Sequence, residues 1–387
     1  MQTQIIKNID RLNYIYLLIF LNFTFLISFL LRFFSFIIKN NNKKHDIILF
    51  PFAQKGNIGY TIRFQEYFKY FKKDNIDFYI CDIYPDEFIL SQLNGSNKQR
   101  YRLFRKIAWK RLWQVVKARK YKAAFIHRGL FPYYPDLKTP YFEKLLRKLN
   151  DNITIDFWDS VWIYNKELAI STVCYADKLS VVNEFIGNYF SFVDIPKLLF
   201  PIGVNLDKYL VKTDFSVGNK IKLFYTGNPN NVEYFISLIK PILIELKKTI
   251  DFKLIIVSNL RLDISEFEVE YHDFNEKTFF KLLVNSDIGL YMVEETEDSK
   301  GKMAMKVLDY MSAGLPCIVT PVGLTPYAED KKNIYFAHSK DDWVKQLTFL
   351  FTNELTRATT GKNGRKTVEK YHSLPESYKL LMKIIDI

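Results

Sequence analysis

Short apolar runs separated by amphipathic stretches recur along most of the chain. Asp46–Phe52, Asp77–Ile83 and Ala123–His127 read as strands, with shorter ones at Ile153–Asp156, Lys178–Val182 and Leu198–Ile202. A Gly-bearing loop, Gln54–Gly59, follows the first strand and opens a helix over about 60–72. The alternation then restarts with Ile221–Thr226, Phe252–Val257, Val269–His272, Asp287–Met292 and Cys317–Thr320. Strands alternating with helices predict parallel, doubly wound sheets: two Rossmann-like α/β domains with a cleft between them. Turn chemistry over Ile202–Lys208 predicts the hinge, which places the domains at 46–203 and 204–372. An amphipathic Glu376–Ile385 predicts a helix in the last segment, 373–387, expected to return to the first domain.

One run breaks the alternation. Tyr14–Leu31 is uncharged, and at about 1.5 Å per residue it spans about 27 Å, close to the thickness of a bilayer core. No small-residue cleavage site follows, as a secretory signal would require. The reading is a tail over 1–12 and a spanning or inserted anchor over 13–38, with a helix lying in one leaflet as a further option. Lys7 and Arg11 precede the run; Arg32, Lys39, Lys43 and Lys44 follow it, which predicts that the following domains face the cytoplasm.

Charge sharpens this picture. The net charge is +13, yet Lys98–Lys122 holds eleven Lys and Arg and no acid, and without it 44 basic residues face 42 acidic. Tyr101, Phe104, Ala108, Leu112 and Val115 form a stripe through that segment, with Trp109 and Trp113 beside it. A basic amphipathic helix with interfacial aromatics fits an anionic membrane surface, and no nucleic-acid recognition motif accompanies it. Cys81, Cys174 and Cys317 form neither a metal spacing nor a disulfide framework, which predicts a reducing compartment and no metal.

The most informative chemistry lies in Ser299–Gly323. At helical spacing Lys302, Lys306, Asp309 and Ala313 share one face, and Ala304, Val307, Leu308 and Met311 another. Two cations near a helix start and a carboxylate further in suit a nucleoside diphosphate, with its ribose at Asp309. Gly314 ends the helix, and Pro321–Gly323 forms a loop at the carboxyl end of a strand, where ligands bind in open α/β sheets.

Several of these motifs, taken in order, resemble one family. Asp287-Ile-Gly-Leu290, Gly301-Lys302, Lys306 and Leu308-Asp-Tyr-Met-Ser-Ala-Gly-Leu-Pro316 resemble the donor-binding motif of GT-B glycosyltransferases of the group-1 (retaining, family-4) type. Gly56 and Gly59, Thr154–Trp162, Phe200–Leu206 and Tyr225–Asn231 resemble further motifs of that family in order and spacing, so the resemblance covers about 46–387. It implies that Asp309 holds the ribose and that Lys302 and Lys306 neutralise the departing diphosphate. Gly323, Gly227 and Asn228, with Gly56 and Gly59 of the first domain, would line the donor. His127 would contact sugar or acceptor. Gly301 stands where the family often has a sugar-gripping Glu, and Asn228–Glu233 lacks the family's Arg and Lys.

The reading is therefore a metal-independent enzyme without a cofactor. It transfers a sugar from a nucleotide-sugar donor to a lipid-linked or other glycan acceptor at a membrane, in surface-polysaccharide or lipid-glycan synthesis. The alternatives are a non-catalytic GT-B scaffold or glycan-binding protein, and a nucleotide-sugar epimerase.

Overall fold

A computed structural model describes residues 11–38, 43–131 and 138–387. The chain divides into two compact units: Met1–Ile202 with Tyr378–Ile387, and Gly203–Ser377.

The first unit is built on a six-stranded parallel sheet. Its strands are β1 (His45–Phe50), β2 (Phe78–Ile80), β3 (Tyr121–His127), β4 (Ile153–Phe157), β5 (Lys178–Val181) and β6 (Lys197–Leu199), in the order β2-β1-β3-β4-β5-β6. Ile47 pairs with Phe78 on one side and Ala123 on the other. Ile47 to Phe50 are all buried, as a central parallel strand covered on both faces requires. The order reverses between β1 and β3, so the sheet's switch point lies at Phe50 and His127.

The second unit repeats the plan. Its strands are β7 (Ile221–Thr226), β8 (Phe252–Val257), β9 (Glu268–His272), β10 (Ile288–Tyr291), β11 (Cys317–Val319) and β12 (Tyr335–Phe336), in the order β12-β11-β10-β7-β8-β9. Leu223, Leu254, Ile256, Ile288 and Leu290 form the core with Phe235, Ile239 and Leu243 of the 229–246 helix and Trp343 and Leu347 of the 340–352 helix. Here the reversal falls between β7 and β10.

The N-terminal segment differs from expectation. It forms a helix, Arg11–Phe33, then a short turn of helix, Ser35–Ile38; residues 1–10 of the tail lie outside the described residues. Among the described residues no helix is long and apolar enough to cross a membrane, so the spanning anchor is unsupported. One side of this helix is occupied by protein. It packs against the helices Asn97–Lys117 and Tyr141–Leu149, burying Thr24, Phe25 and Ser28.

The basic helix forms where the charge pattern placed it, with Ser96 and Gln99 closing a capping box. Its stripe from Tyr101 to Val115 is buried, while Trp109 and Trp113 are exposed. One of its cations turns inward. Arg111 is fully buried and donates to the Cys81 carbonyl (3.1 Å) and Gln114 Oε1 (2.9 Å).

Candidate functional site

In the second unit the site builds up at the carboxyl ends of β7 and β10. After β10 the chain runs through an acidic stretch into a one-turn helix, Glu297–Lys300, capped by Thr296 with Ser299, and Gly301 closes that turn. The next helix spans Met305–Ala313. It starts later than the spacing implied, so Lys302 stands ahead of it, while Lys306 and Asp309 lie on it. Ala304 caps its start without a side-chain hydrogen bond, which leaves first-turn N–H groups for another acceptor. At the far end Gly314 adopts φ +70°, and its N–H returns to the Met311 carbonyl at 3.0 Å.

Lys306 and Asp309 sit one turn apart, each half-buried. Lys306 Nζ lies 5.6 Å from the ring centre of Tyr225, near the end of β7. Burial holds the Lys306 ammonium below its ordinary range, with Asp309 opposing and Lys302 reinforcing that shift. Burial raises Asp309 to about 6, against the lowering effects of a Tyr209 hydrogen bond and of Lys306. Tyr209 donates its hydroxyl to Asp309 Oδ1. Lys302 pairs with Asp298, four residues earlier.

Gly323 is held beside these lysines by backbone geometry. It adopts φ +63°, and a Cβ there would lie 2.3 Å from the Ser299 carbonyl and 3.0 Å from that of Lys302. Its own carbonyl accepts from the Ala304 N–H at 2.7 Å. The 321–323 loop thus clamps the segment carrying Lys302. Gly227 and Asn228 follow β7. Asn228 caps the 229–246 helix by accepting from the Asn231 N–H at 2.9 Å, so its side chain is already engaged. Tyr234 of that helix accepts from the Glu294 N–H at 2.8 Å, tying it to the acidic stretch.

In the first unit the loop after β1 carries Gly56 and Gly59, and Trp158 lies against both Gly59 and His127 at the end of β3. Asn57 caps the helix Ile58–Arg63 through the Gly59 N–H (2.8 Å), and Gly59 packs against the Trp158 ring. His127 is fully buried among Phe52, Phe64 and Trp158, its ring 5.0 Å from that of Trp158. Neither of its nitrogens has a hydrogen-bond partner, nor has the Trp158 Nε1. Burial holds His127 well below its ordinary range, with Arg128 and Arg63 adding to the effect, so the ring is neutral at pH 7. Asp156, on β4, instead closes an internal network. Arg63 Nε donates to it at 2.8 Å and Ser180 Oγ at 2.7 Å, while the Arg63 guanidinium stacks 3.8 Å from the Phe200 ring centre.

Residues 240–383 match a protein family described as glycosyl transferase-like. Sucrose-phosphate synthase from Thermosynechococcus elongatus superposes with a TM-score of 0.62 at 11% identity, over 89% of this chain and 98% of that one. A glycosyltransferase from Rickettsia africae ESF-5 gives 0.62 at 13%, over 89% and 98%. The chain thus has an α/β, GT-B-like fold. The lipopolysaccharide outer core galactosyltransferase WaaB, in its apo form, gives 0.57 at 15% identity, over 88% and 99%. No curated protein sequence matches the chain.

Within this GT-B fold, the structure brings together Lys306, Asp309 and the Gly301–Lys302 turn, with Gly323 packed against that turn. Tyr209 bonds the carboxylate and carries no sequence signal; Tyr225 lies beside the lysine and opens the Tyr225–Asn231 motif, which marked the loop after it and not this contact. Tyr209 follows the hinge motif and Tyr225 lies in an apolar strand, and nothing in periodicity aims either at the 305–313 helix. Among the described residues no group of three or more His, Cys, Asp or Glu gathers to hold a metal ion.

Proposed function

We propose that the protein transfers a sugar from a nucleotide-sugar donor to a lipid-linked or other glycan acceptor at a membrane surface. The observation that carries this is the 305–313 helix at the switch point of the second sheet. Its uncapped N-terminus, Lys306 and Asp309 follow one another along a single element.

An anionic diphosphate at that N-terminus meets free N–H groups and the positive end of the helix dipole. Lys306, and Lys302 just ahead of the helix, offset the negative charge that develops on the β-phosphate as the glycosidic bond breaks. Asp309 accepts hydrogen bonds from the ribose hydroxyls once Tyr209 yields its place. Because the charge is met by protein cations, the reaction runs without a metal or other cofactor. Retention at the anomeric carbon follows from the resemblance to the group-1 type.

The acceptor reading rests on the cationic helix of the first unit and on the likeness to WaaB, a galactosyltransferase of the lipopolysaccharide outer core. The basic segment 98–122 holds the enzyme at an anionic membrane surface, with the two units on the cytoplasmic side and the product entering surface-polysaccharide or lipid-glycan synthesis. A non-catalytic, glycan-binding role is the second reading. It is favoured by the Lys302–Asp298 pair, which commits one of the two lysines, and by Gly301.

Membranes containing the protein, incubated with labelled UDP-, GDP- and other activated sugars, are expected to yield labelled lipid. Lys306→Ala is expected to lower transfer by at least about a hundredfold with unchanged thermal unfolding. Nucleotide binding without transfer from any donor would establish the second reading instead.

A further inference from the structure

The N-terminal helix is built with its polarity inverted. Thr24 and Ser28 face the protein, and Ser28 Oγ donates to the Tyr141 carbonyl at 3.2 Å. Phe25 stacks on Tyr141 with ring centres 3.8 Å apart. Ile19, Phe23, Leu26, Leu30, Phe33 and Ile37 stand exposed on the other side, each three or four residues from the last. A helix resting against a protein in water turns its hydroxyls outward and its phenyl rings inward. Here the arrangement is the reverse, with the apolar side chains outward.

The basic helix packed against it supplies the complementary feature. Between its outer face and the end of β2 runs an open groove of about 470 Å³, floored by Tyr79, Tyr84, Trp109 and Trp113 and edged by Lys106 and Lys110. Lys117 Nζ lies 3.1 Å from the Tyr79 ring centre, and Lys110 Nζ lies 5.0 Å from that of Tyr84. Cations over aromatic rings beside exposed indoles form a surface for phosphate headgroups with apolar matter beneath them.

We infer that helix 11–33 and the Trp109–Trp113 groove form one docking face for an anionic phospholipid bilayer, with the helix lying in the membrane plane. This deepens the membrane reading above and rests on it. A soluble polyanion would match the cations and leave the apolar ridge uncovered. A second copy of the chain would match the ridge but bring its own cations from the neighbouring helix against these. In-plane geometry follows from packing. Thr24, Phe25 and Ser28 are held against the 97–117 and 141–149 helices, and a helix crossing the bilayer would have to give up those contacts or carry the cations into hydrocarbon.

The test uses the full chain with the exposed Cys174 changed to Ser, spin-labelled singly at Ile19→Cys, Phe29→Cys or Ile37→Cys. Vesicles are equal parts phosphatidylglycerol and phosphatidylcholine, or phosphatidylcholine alone. The expected result is one shallow depth for all three labels, with binding at least about tenfold weaker on the neutral vesicles. Lys106→Glu with Trp113→Ser is expected to weaken vesicle binding by about tenfold, with nucleotide affinity and thermal unfolding unchanged. Depths running from one interface to the other between positions 19 and 37 would overturn the in-plane geometry. Labels buried by self-association without lipid would overturn the bilayer as partner. Nucleotide binding, measured on the same preparations, reports separately on the transferase reading.

Discussion

At the scale of single residues, Asp309 decides the most. Its carboxyl rises to about 6, because burial outweighs both Lys306 and the Tyr209 hydroxyl. A raised carboxylate stabilises the folded chain when neutral. That contribution is complete below the unfolded value near 4 and is lost as pH rises through about 6. Ribose recognition needs the opposite, ionised form, so nucleoside diphosphate affinity is expected to strengthen as pH rises through about 6. Tyr209→Phe removes a hydrogen bond that lowers this pKa, and its midpoint is expected to move upward. Calorimetric titration of the diphosphate from pH 5 to 8 measures this, and a midpoint that stays or falls would remove Tyr209 from the site. The charge pattern pointed to Asp309 and Lys306 because both lie on one helix. It could not show that a tyrosine one hundred residues away holds the carboxylate. Arg63 and Asp156 repeat the point: Asp156 lies in the Thr154–Trp162 motif, but nothing local names Arg63 as its partner, and only the meeting of a helix with β4 makes them a buried pair.

At the scale of elements, the helix carrying the lysine is positioned by what lies behind it. Gly314 ends it, and the 354–371 helix crosses so closely that a Cβ at Gly361 would lie 2.1 Å from the Gly314 carbonyl. Beneath it, Gly289 of β10 leaves room for the buried Tyr310 ring, 2.6 Å from where a Cβ would sit. Gly361→Ala is expected to cost about 1–3 kcal/mol in urea unfolding and to weaken nucleotide binding, since the 305–313 helix must shift to make room. A variant of unchanged stability would show that the two helices part without effort. The motif around Gly314 was readable, whereas Gly361 sits in a polar helical stretch and shows its purpose only through the partner it touches.

At the scale of the whole molecule, both sheets follow from alternation: apolar runs marked nearly every strand, with ends off by at most three residues and two strands matched at both ends. The two-residue β12 was too short to leave a pattern. The N-terminal run shows why composition alone misled. Eighteen uncharged residues are enough to span a bilayer, but which side of the helix meets protein depends on the 97–117 and 141–149 helices, and no local window contains them. The closing helix, Leu374–Ile385, where Glu376–Ile385 had the pattern of a helix, likewise takes its seat from residues far off in sequence. Tyr378 stacks on Tyr70 at 5.1 Å and donates to Asp74 at 2.8 Å, while Leu381, Ile384 and Ile385 are buried in the first unit. Removing 378–387 is expected to destabilise that unit by on the order of 5 kcal/mol, read as a separate, earlier step in thermal unfolding. A single unshifted transition would show that the closing helix contributes little.

That closing helix also sets an order of events during synthesis. The ribosome delivers 45–202 early, yet the seat beside Tyr70 and Phe71 stays empty until Gly203–Ser377 has been made. For the whole of that interval the nascent first unit exposes aromatic surface. A growing chain of this kind is open to association through that surface until the second unit is complete.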